Sequence, residues 1–156
     1  MENKSAPPTV EVLEAEDCWR LLRGVALGRL AVWVNDHPEL FPLNFRIDKE
    51  TIVFRTAPGT KLSAALEGKP VALEADHING HTNVAWSVVV KGQAAEVEQT
   101  EEFRTNVAQL LFPWSPGAKD HFVRITPDAI TGRRFTIAPP QTWEITLDNA
   151  TRAGFE

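Results

Sequence analysis

The sequence predicts a mainly β protein, in which six to seven mostly antiparallel strands form a closed or partly closed barrel with a few short helices. Three observations carry this expectation. Runs rich in Val, Ile, Phe, Trp and Thr recur along most of the 156 residues, and clusters of Gly, Pro, Asn and Asp separate them. Apolar residues at helical spacing are confined to a few short stretches. With this many short strands, closure into a barrel is the arrangement that removes exposed sheet edges.

Residues 1–9 are expected to be a disordered tail, because Ala6-Pro7-Pro8 suits neither helix nor strand. The folded domain is assigned to 10–137. From Glu14, Cys18, Leu21, Leu22 and Val25 fall at i, i+3, i+4 and i+7 behind an acidic first turn, which predicts a short helix with Cys18 on its inner face. Arg29–Val34 and Glu39–Ile47 read as strands of a hairpin turned at Asn35-Asp-His-Pro38, and Thr51–Arg55 follows a second turn at Asp48–Glu50. Ala57-Pro58-Gly59 breaks the sheet, and a short helix is expected to start at a Thr60 cap and run to Glu67. Strands Val71–Asp76 and Ala85–Val97 are joined by a polar loop from Asp76 to Asn83, with Gly92 the expected place for a bulge. Thr100 is the expected cap of a helix presenting Phe103, Val107, Leu110 and Leu111 to the core. His121–Ile125 and Ala129–Ile137 are read as a final pair around a Thr126-Pro127-Asp128 turn, and 138–156 as a C-terminal tail.

The chain carries 16 Lys plus Arg against 21 Asp plus Glu, a net charge of −5. Nucleic-acid binding needs a basic face to neutralise phosphates, so that function class is disfavoured. The charge is nevertheless uneven: residues 20–61 and 103–135 each carry a net +3, enough for a small phosphorylated ligand. The single cysteine, Cys18, cannot close an intrachain disulfide. The longest apolar run, Val84–Val90, is too short to span a bilayer, and the N-terminus lacks the apolar core of a signal peptide. A cytoplasmic protein without a membrane partner is expected.

Familiar catalytic signatures are absent: there is no Gly-x-Ser-x-Gly, no phosphate-binding Gly-x-x-x-x-Gly-Lys and no pair of Cys-x-x-Cys knuckles. Ser87, His121 and Asp120 supply the residue types of a hydrolytic triad, but no local motif positions them. Asp76, His77 and His81 have metal-ligand chemistry, yet a polar loop beside Asn79-Gly80 makes solvated turn residues the better reading, and no metal is expected. The informative run is Phe54-Arg-Thr-Ala-Pro-Gly-Thr-Lys-Leu62. It gathers the Arg55 guanidinium, the Thr56 and Thr60 hydroxyls and the Lys61 ammonium around a strand end and helix start. That donor set suits a phosphate dianion; a capped helix flanked by two solvated cations is the competing reading.

Six blocks, in order, resemble one family. They are Gly28-Arg-Leu-Ala-Val32, Phe41-Pro-Leu-Asn-Phe45, Phe54–Leu62, Val71-Ala-Leu-Glu-Ala-Asp76, Trp86–Ala94 and Thr131-Gly-Arg-Arg134. Together they are similar to the pyridoxamine 5′-phosphate oxidase-like FMN-binding split-barrel proteins, in particular their short bacterial branch. The resemblance implies a split β-barrel homodimer holding FMN in clefts between the subunits and acting as an oxidoreductase on a small-molecule substrate. It implies that Arg55, Thr56, Thr60 and Lys61 hold the FMN phosphate. Pro42, Leu43, Asn44 and Phe45 would lie along the ring and ribityl chain, partly through backbone groups, while Trp86 and Ser87 flank the flavin. Trp114, Arg124 and Arg133 would be cross-subunit contributors. The longer C-terminal region that binds substrate phosphate in true pyridoxamine phosphate oxidases has no counterpart here, so flavin binding is better supported than vitamin B6 oxidation. The deazaflavin F420 is an alternative cofactor, and a non-catalytic flavin or haem carrier or sensor an alternative function.

Overall fold

The computed structural model describes residues 9–111 and 120–137. Trp114 and the C-terminal tail lie outside the described residues, as do residues 1–8 of the expected N-terminal tail.

Seven strands form one antiparallel sheet in the order β1-β7-β4-β3-β2-β5-β6, and an additional β6–β7 pairing closes it into a barrel. The strands are β1 (Val10–Val12), β2 (Leu27–Val34), β3 (His37–Asp48), β4 (Thr51–Thr56), β5 (Val71–Asn79), β6 (Val84–Glu96) and β7 (His121–Thr136). The helices are α1 (Ala15–Arg23), α2 (Thr60–Ala65) and α3 (Glu101–Asn106), the last followed by a 3-10 turn at Ala108–Leu110. The expected mainly β split barrel is therefore what the chain forms. β7 makes the closure: its first five residues pair with β4, from Val123 onward it also pairs along β6, and β1 is added beside its last residues.

Period-two alternation fills the barrel. Leu30 and Val32 of β2, Leu43 and Phe45 of β3, Ile52 and Phe54 of β4, and Trp86, Val88 and Val90 of β6 all enter one buried cluster. α1 adds Cys18, Trp19 and Leu22 to it. Gly132 is where that helix meets β7, since a Cβ there would lie 2.6 Å from the Cys18 sulfur. A second, smaller cluster covers the outside of β4 and β7: Val53, Phe103, Val107, Leu111 and Phe122, with the Phe103 and Phe122 rings edge to face at 5.1 Å.

Several boundaries differ from expectation, each for a local reason. Asn35 and Asp36 alone make the first turn, both with positive φ, so His37 and Pro38 belong to β3. Pro38 and Pro42 are tolerated there because β3 pairs with β4 only from Phe45 onward, leaving its first half with one ladder neighbour. The N-cap of α2 is Gly59, at φ +150°, rather than Thr60, which is the first helical residue. β5 continues to Asn79, where the side-chain carbonyl accepts hydrogen bonds from the His81 and Thr82 N–H groups and tightens the turn. The helix after Thr100 stops at Asn106, and the switch to a 3-10 turn leaves Leu110 exposed instead of buried. β1 was not expected; three residues are too few to show a period, and pairing with β7 is what defines them.

The largest correction concerns residues 121–137. No turn interrupts them: Thr126-Pro127-Asp128 lies inside the continuous sixteen-residue β7. The ladder shifts register between Lys91 and Gly92, which pair with Ala129 and Pro127, so Asp128 is the extra residue of a bulge facing Gly92. Among the described residues, no helix is long and apolar enough to cross a membrane.

Candidate functional site

Cross-strand partners share one side of a sheet, so register sorts the candidate residues into three groups. The first lies on the outer face. Asp76 of β5 is opposite Ser87 of β6, Ser87 is opposite Arg133 of β7, and Arg133 is opposite Val12 of β1. A neighbouring row joins Pro42 of β3, Arg29 of β2, Glu74 of β5 and Val89 of β6. Asn44 joins the same face opposite Leu27. A cavity of about 440 Å³ opens beside these rows and is lined by Val12, Ser87, Val89, Thr131, Gly132 and Arg133. The fold thus brings together Ser87 and Arg133, which are 46 positions apart in the sequence.

Charges organise this face. Arg29 Nη1 donates to Glu74 Oε2 at 2.9 Å and lies 3.5 Å from Asp76 Oδ1. Burial, and then the neighbouring Asp76 carboxyl, hold the Glu74 carboxyl above its ordinary range, with Arg29 opposing them in part. The same contacts raise Arg29 further, chiefly through its hydrogen bond to Glu74. Sequence reasoning missed this cluster as part of the site because its members come from different strands.

The second group points into the barrel. Leu43, Phe45 and Trp86 have buried side chains in the core, so their side chains are wall residues, and what they offer the outer face is backbone. The Phe45 N–H already donates to the Ala26 carbonyl.

The third group surrounds the end of β4. Arg55 projects outward, its Nη1 donating to the Leu111 carbonyl at 3.2 Å and its guanidinium lying over the Phe122 ring at 5.1 Å. It borders a cavity of about 550 Å³ with Gln99, Arg104, Ala108, Gln109, Asp120 and Phe122. Thr56 points the other way and is buried, its hydroxyl donating to the Ala57 carbonyl. Lys61 lies over the Phe41 ring at 5.4 Å, and Thr60 is exposed. The four proposed phosphate residues therefore flank one loop but reach it from both sides of the sheet. Their chemistry fits an anionic group: from Thr51 to Leu66 the chain contains no Asp or Glu, so no carboxylate of this segment competes with a phosphate.

Other candidates go elsewhere. Arg124 donates to Asp48 Oδ2 at 2.8 Å and Thr51 Oγ1 at 2.6 Å, where it fastens the β3–β4 turn. The residue types of a triad do not assemble. Ser87 lies on β6 opposite Arg133, whereas His121 pairs with Thr56 at the other end of β7 and binds Glu96. Asp76 is engaged by Arg29, and among the described residues no group of His, Cys, Asp and Glu could hold a metal ion. His37 is a surface residue next to Glu39, and Cys18 is a buried core thiol, its pKa raised mainly by burial.

Comparison with known proteins gives a consistent result. A family model described as pyridoxamine 5′-phosphate oxidase matches residues 14–134. An uncharacterized Mycobacterium tuberculosis protein is 35% identical over 136 residues, covering 84% of this chain and 88% of that protein. Among solved structures, an FAD binding protein from Mycobacterium smegmatis is 38% identical with a TM-score of 0.62, covering 81% of this chain and 98% of the other. A conserved Corynebacterium diphtheriae protein of unknown function is 36% identical with a TM-score of 0.64, over 81% and 98% of the two chains.

Proposed function

The chain belongs to the pyridoxamine 5′-phosphate oxidase family, and on that premise we propose that it is an FMN-binding oxidoreductase acting on a small-molecule substrate, built as a cytoplasmic homodimer. The flavin-binding part of this reading is supported by the Mycobacterium smegmatis relative, an FAD binding protein. The observation that carries it in this chain is the acid-free donor set at Arg55, Thr56, Thr60 and Lys61, which has the charge and hydrogen-bonding capacity for a phosphate.

A bound flavin supplies hydride and electron chemistry, which agrees with a chain that carries no recognisable nucleophile or triad. The protein's part is to bind and orient. Arg55 and Lys61 neutralise the phosphate, and the Thr56 and Thr60 hydroxyls complete its hydrogen bonding. The outer face around Pro42, Asn44, Ser87 and Arg133 offers polar groups and backbone for the ring. A second subunit covering that face would exclude water from it, and the exposed Val10 and Val12 beside the 440 Å³ cavity are apolar surface for such contact. F420 is the alternative cofactor, and a flavin carrier without turnover the alternative activity.

The absorption spectrum of the purified protein and titration with FMN, FAD, F420 and riboflavin test the reading. Arg55→Ala or Lys61→Ala is expected to weaken FMN at least about tenfold while leaving riboflavin, which lacks the phosphate, nearly unchanged. Equal loss of both ligands would remove the phosphate role. Reduction of the bound flavin by a nicotinamide donor followed by reoxidation would favour the oxidoreductase over the carrier.

A further inference from the structure

A third cavity, of about 220 Å³, shares no lining residue with the two described above. α1 supplies Leu22 and Arg23 to it, the chain just after α1 supplies Val25, β3 supplies Arg46 and Ile47, and the 3-10 turn after α3 supplies Leu110. It lies on the seam between the two hydrophobic clusters. Leu22 belongs to the main core and Val25 and Ile47 pack against it, whereas Val107 and Leu111, on either side of the turn that carries Leu110, belong to the smaller cluster. Four aliphatic side chains thus form most of the lining, and Leu110 keeps 49% of its surface exposed. The other two lining residues are arginines, which stay charged at any ordinary pH. No acid lines the cavity to balance them. Asp48, the acid nearest to Arg46 in sequence, binds Arg124, and Asp17, the acid nearest to Arg23, binds Arg20. Among the described residues no hydrogen bond or ion pair engages Arg23 or Arg46, and Arg46 is partly buried. The last carbonyls of α1 do not draw on Arg23 either, because Leu21 and Leu22 accept from the Gly24 and Val25 N–H groups.

We propose that this cavity binds a small organic anion with an apolar body, of which a short-chain carboxylate is the simplest form. Its charge lies between Arg23 and Arg46, and its chain lies on Leu22, Val25, Ile47 and Leu110. A guanidinium fork matches the two oxygens of a carboxylate, and the aliphatic lining lowers the local dielectric, so this attraction exceeds that of two solvated ions. Each methylene buried against the lining adds about three- to fourfold in affinity. The volume is below the roughly 300–1,000 Å³ of sites for drug-sized ligands, which excludes a flavin or a nucleotide here. The site is therefore separate from the flavin reading and stands whether or not that reading does.

Hexanoate is the probe, titrated into the purified full-length protein beside acetate, 1-hexanol and hexylammonium, with the backbone amide NMR signals as the readout. Hexanoate is expected to saturate with a Kd of about a few millimolar or tighter, moving the signals of Arg23, Val25, Arg46, Ile47 and Leu110. Acetate, which lacks the chain, and hexanol and hexylammonium, which lack the negative charge, are expected to bind at least about fivefold more weakly. Arg46→Gln is expected to weaken hexanoate at least about fivefold and to leave hexanol within about twofold of wild type. If Arg46→Gln does not fold, Arg23→Gln, at the exposed end of α1, is held to the same expectation. Absence of saturable shifts at these residues would overturn the proposal. So would acetate or hexylammonium binding as tightly as hexanoate, or a hexanoate affinity unchanged by the arginine substitution.

Discussion

Glu74 faces Arg29 across the β2–β5 ladder and lies on the same side of β5 as Asp76, and that placement has a pH consequence. Its carboxyl titrates above the ordinary glutamate range, because burial and the Asp76 carboxyl both disfavour the charged form. A group whose folded-state pKa is raised favours the folded state most when protonated. Its contribution is fully present below the ordinary glutamate pKa and is lost as pH rises through the raised value. Glu74→Gln is therefore expected to flatten the change in melting temperature with pH across the mildly acidic range, while its side-chain carbonyl still accepts from Arg29. Thermal melts at a series of pH values check this; an unchanged profile would show that Glu74 does not govern it. Residues like this explain which parts of the site were legible in the sequence. Arg55, Thr56, Thr60 and Lys61 lie within one run of seven residues, so their shared chemistry can be read directly. Arg29 with Glu74, Ser87 with Arg133, and Glu96 with His121 meet only through strand register, and register has no local signature.

At the scale of the element, alternation and turn residues located β2 to β6 to within a few residues, because burying one face of a strand imposes a period of two. What the alternation could not show was continuity. Thr126-Pro127-Asp128 has the composition of a turn, and it serves here as a bulge within β7 because β6 supplies the space opposite at Gly92. That space is tight: a Cβ on Gly92 would lie 2.1 Å from the Thr126 carbonyl oxygen and 2.9 Å from the Pro127 Cα. Both are backbone atoms and cannot rotate away. Gly92→Ala is expected to destabilise the fold by about 2 kcal/mol or more, measured by urea denaturation. A loss of only a few tenths would mean that the bulge relaxes freely. Gly92 was legible as a bulge position, but its partner residue, Asp128, was not.

For the whole molecule, the outer face formed by β1, β7, β6, β5, β2 and β3 gathers Pro42, Asn44, Ser87 and Arg133, four of the nine residues that resemblance assigned to the flavin ring or to the second subunit. If two copies complete the cofactor site, dilution that separates the subunits should release the flavin in parallel. Analytical ultracentrifugation and flavin fluorescence across one concentration series would show the two transitions coinciding; flavin retained by the monomer would count against an intersubunit site.

β7 pairs with β1 at Val10–Val12, with β4 at Ile52–Thr56 and with β6 along Val84–Glu96. Most of this barrel's closure therefore waits for its last described strand. During synthesis, β4 and β6 are made long before residues 121–136 can join them, and their open edges are exposed meanwhile to one another and to other chains. Contacts between residues so far apart in the chain also favour slow folding, in milliseconds to seconds rather than microseconds. The strand that closes the barrel is thus also the one that covers the edges of β4 and β6.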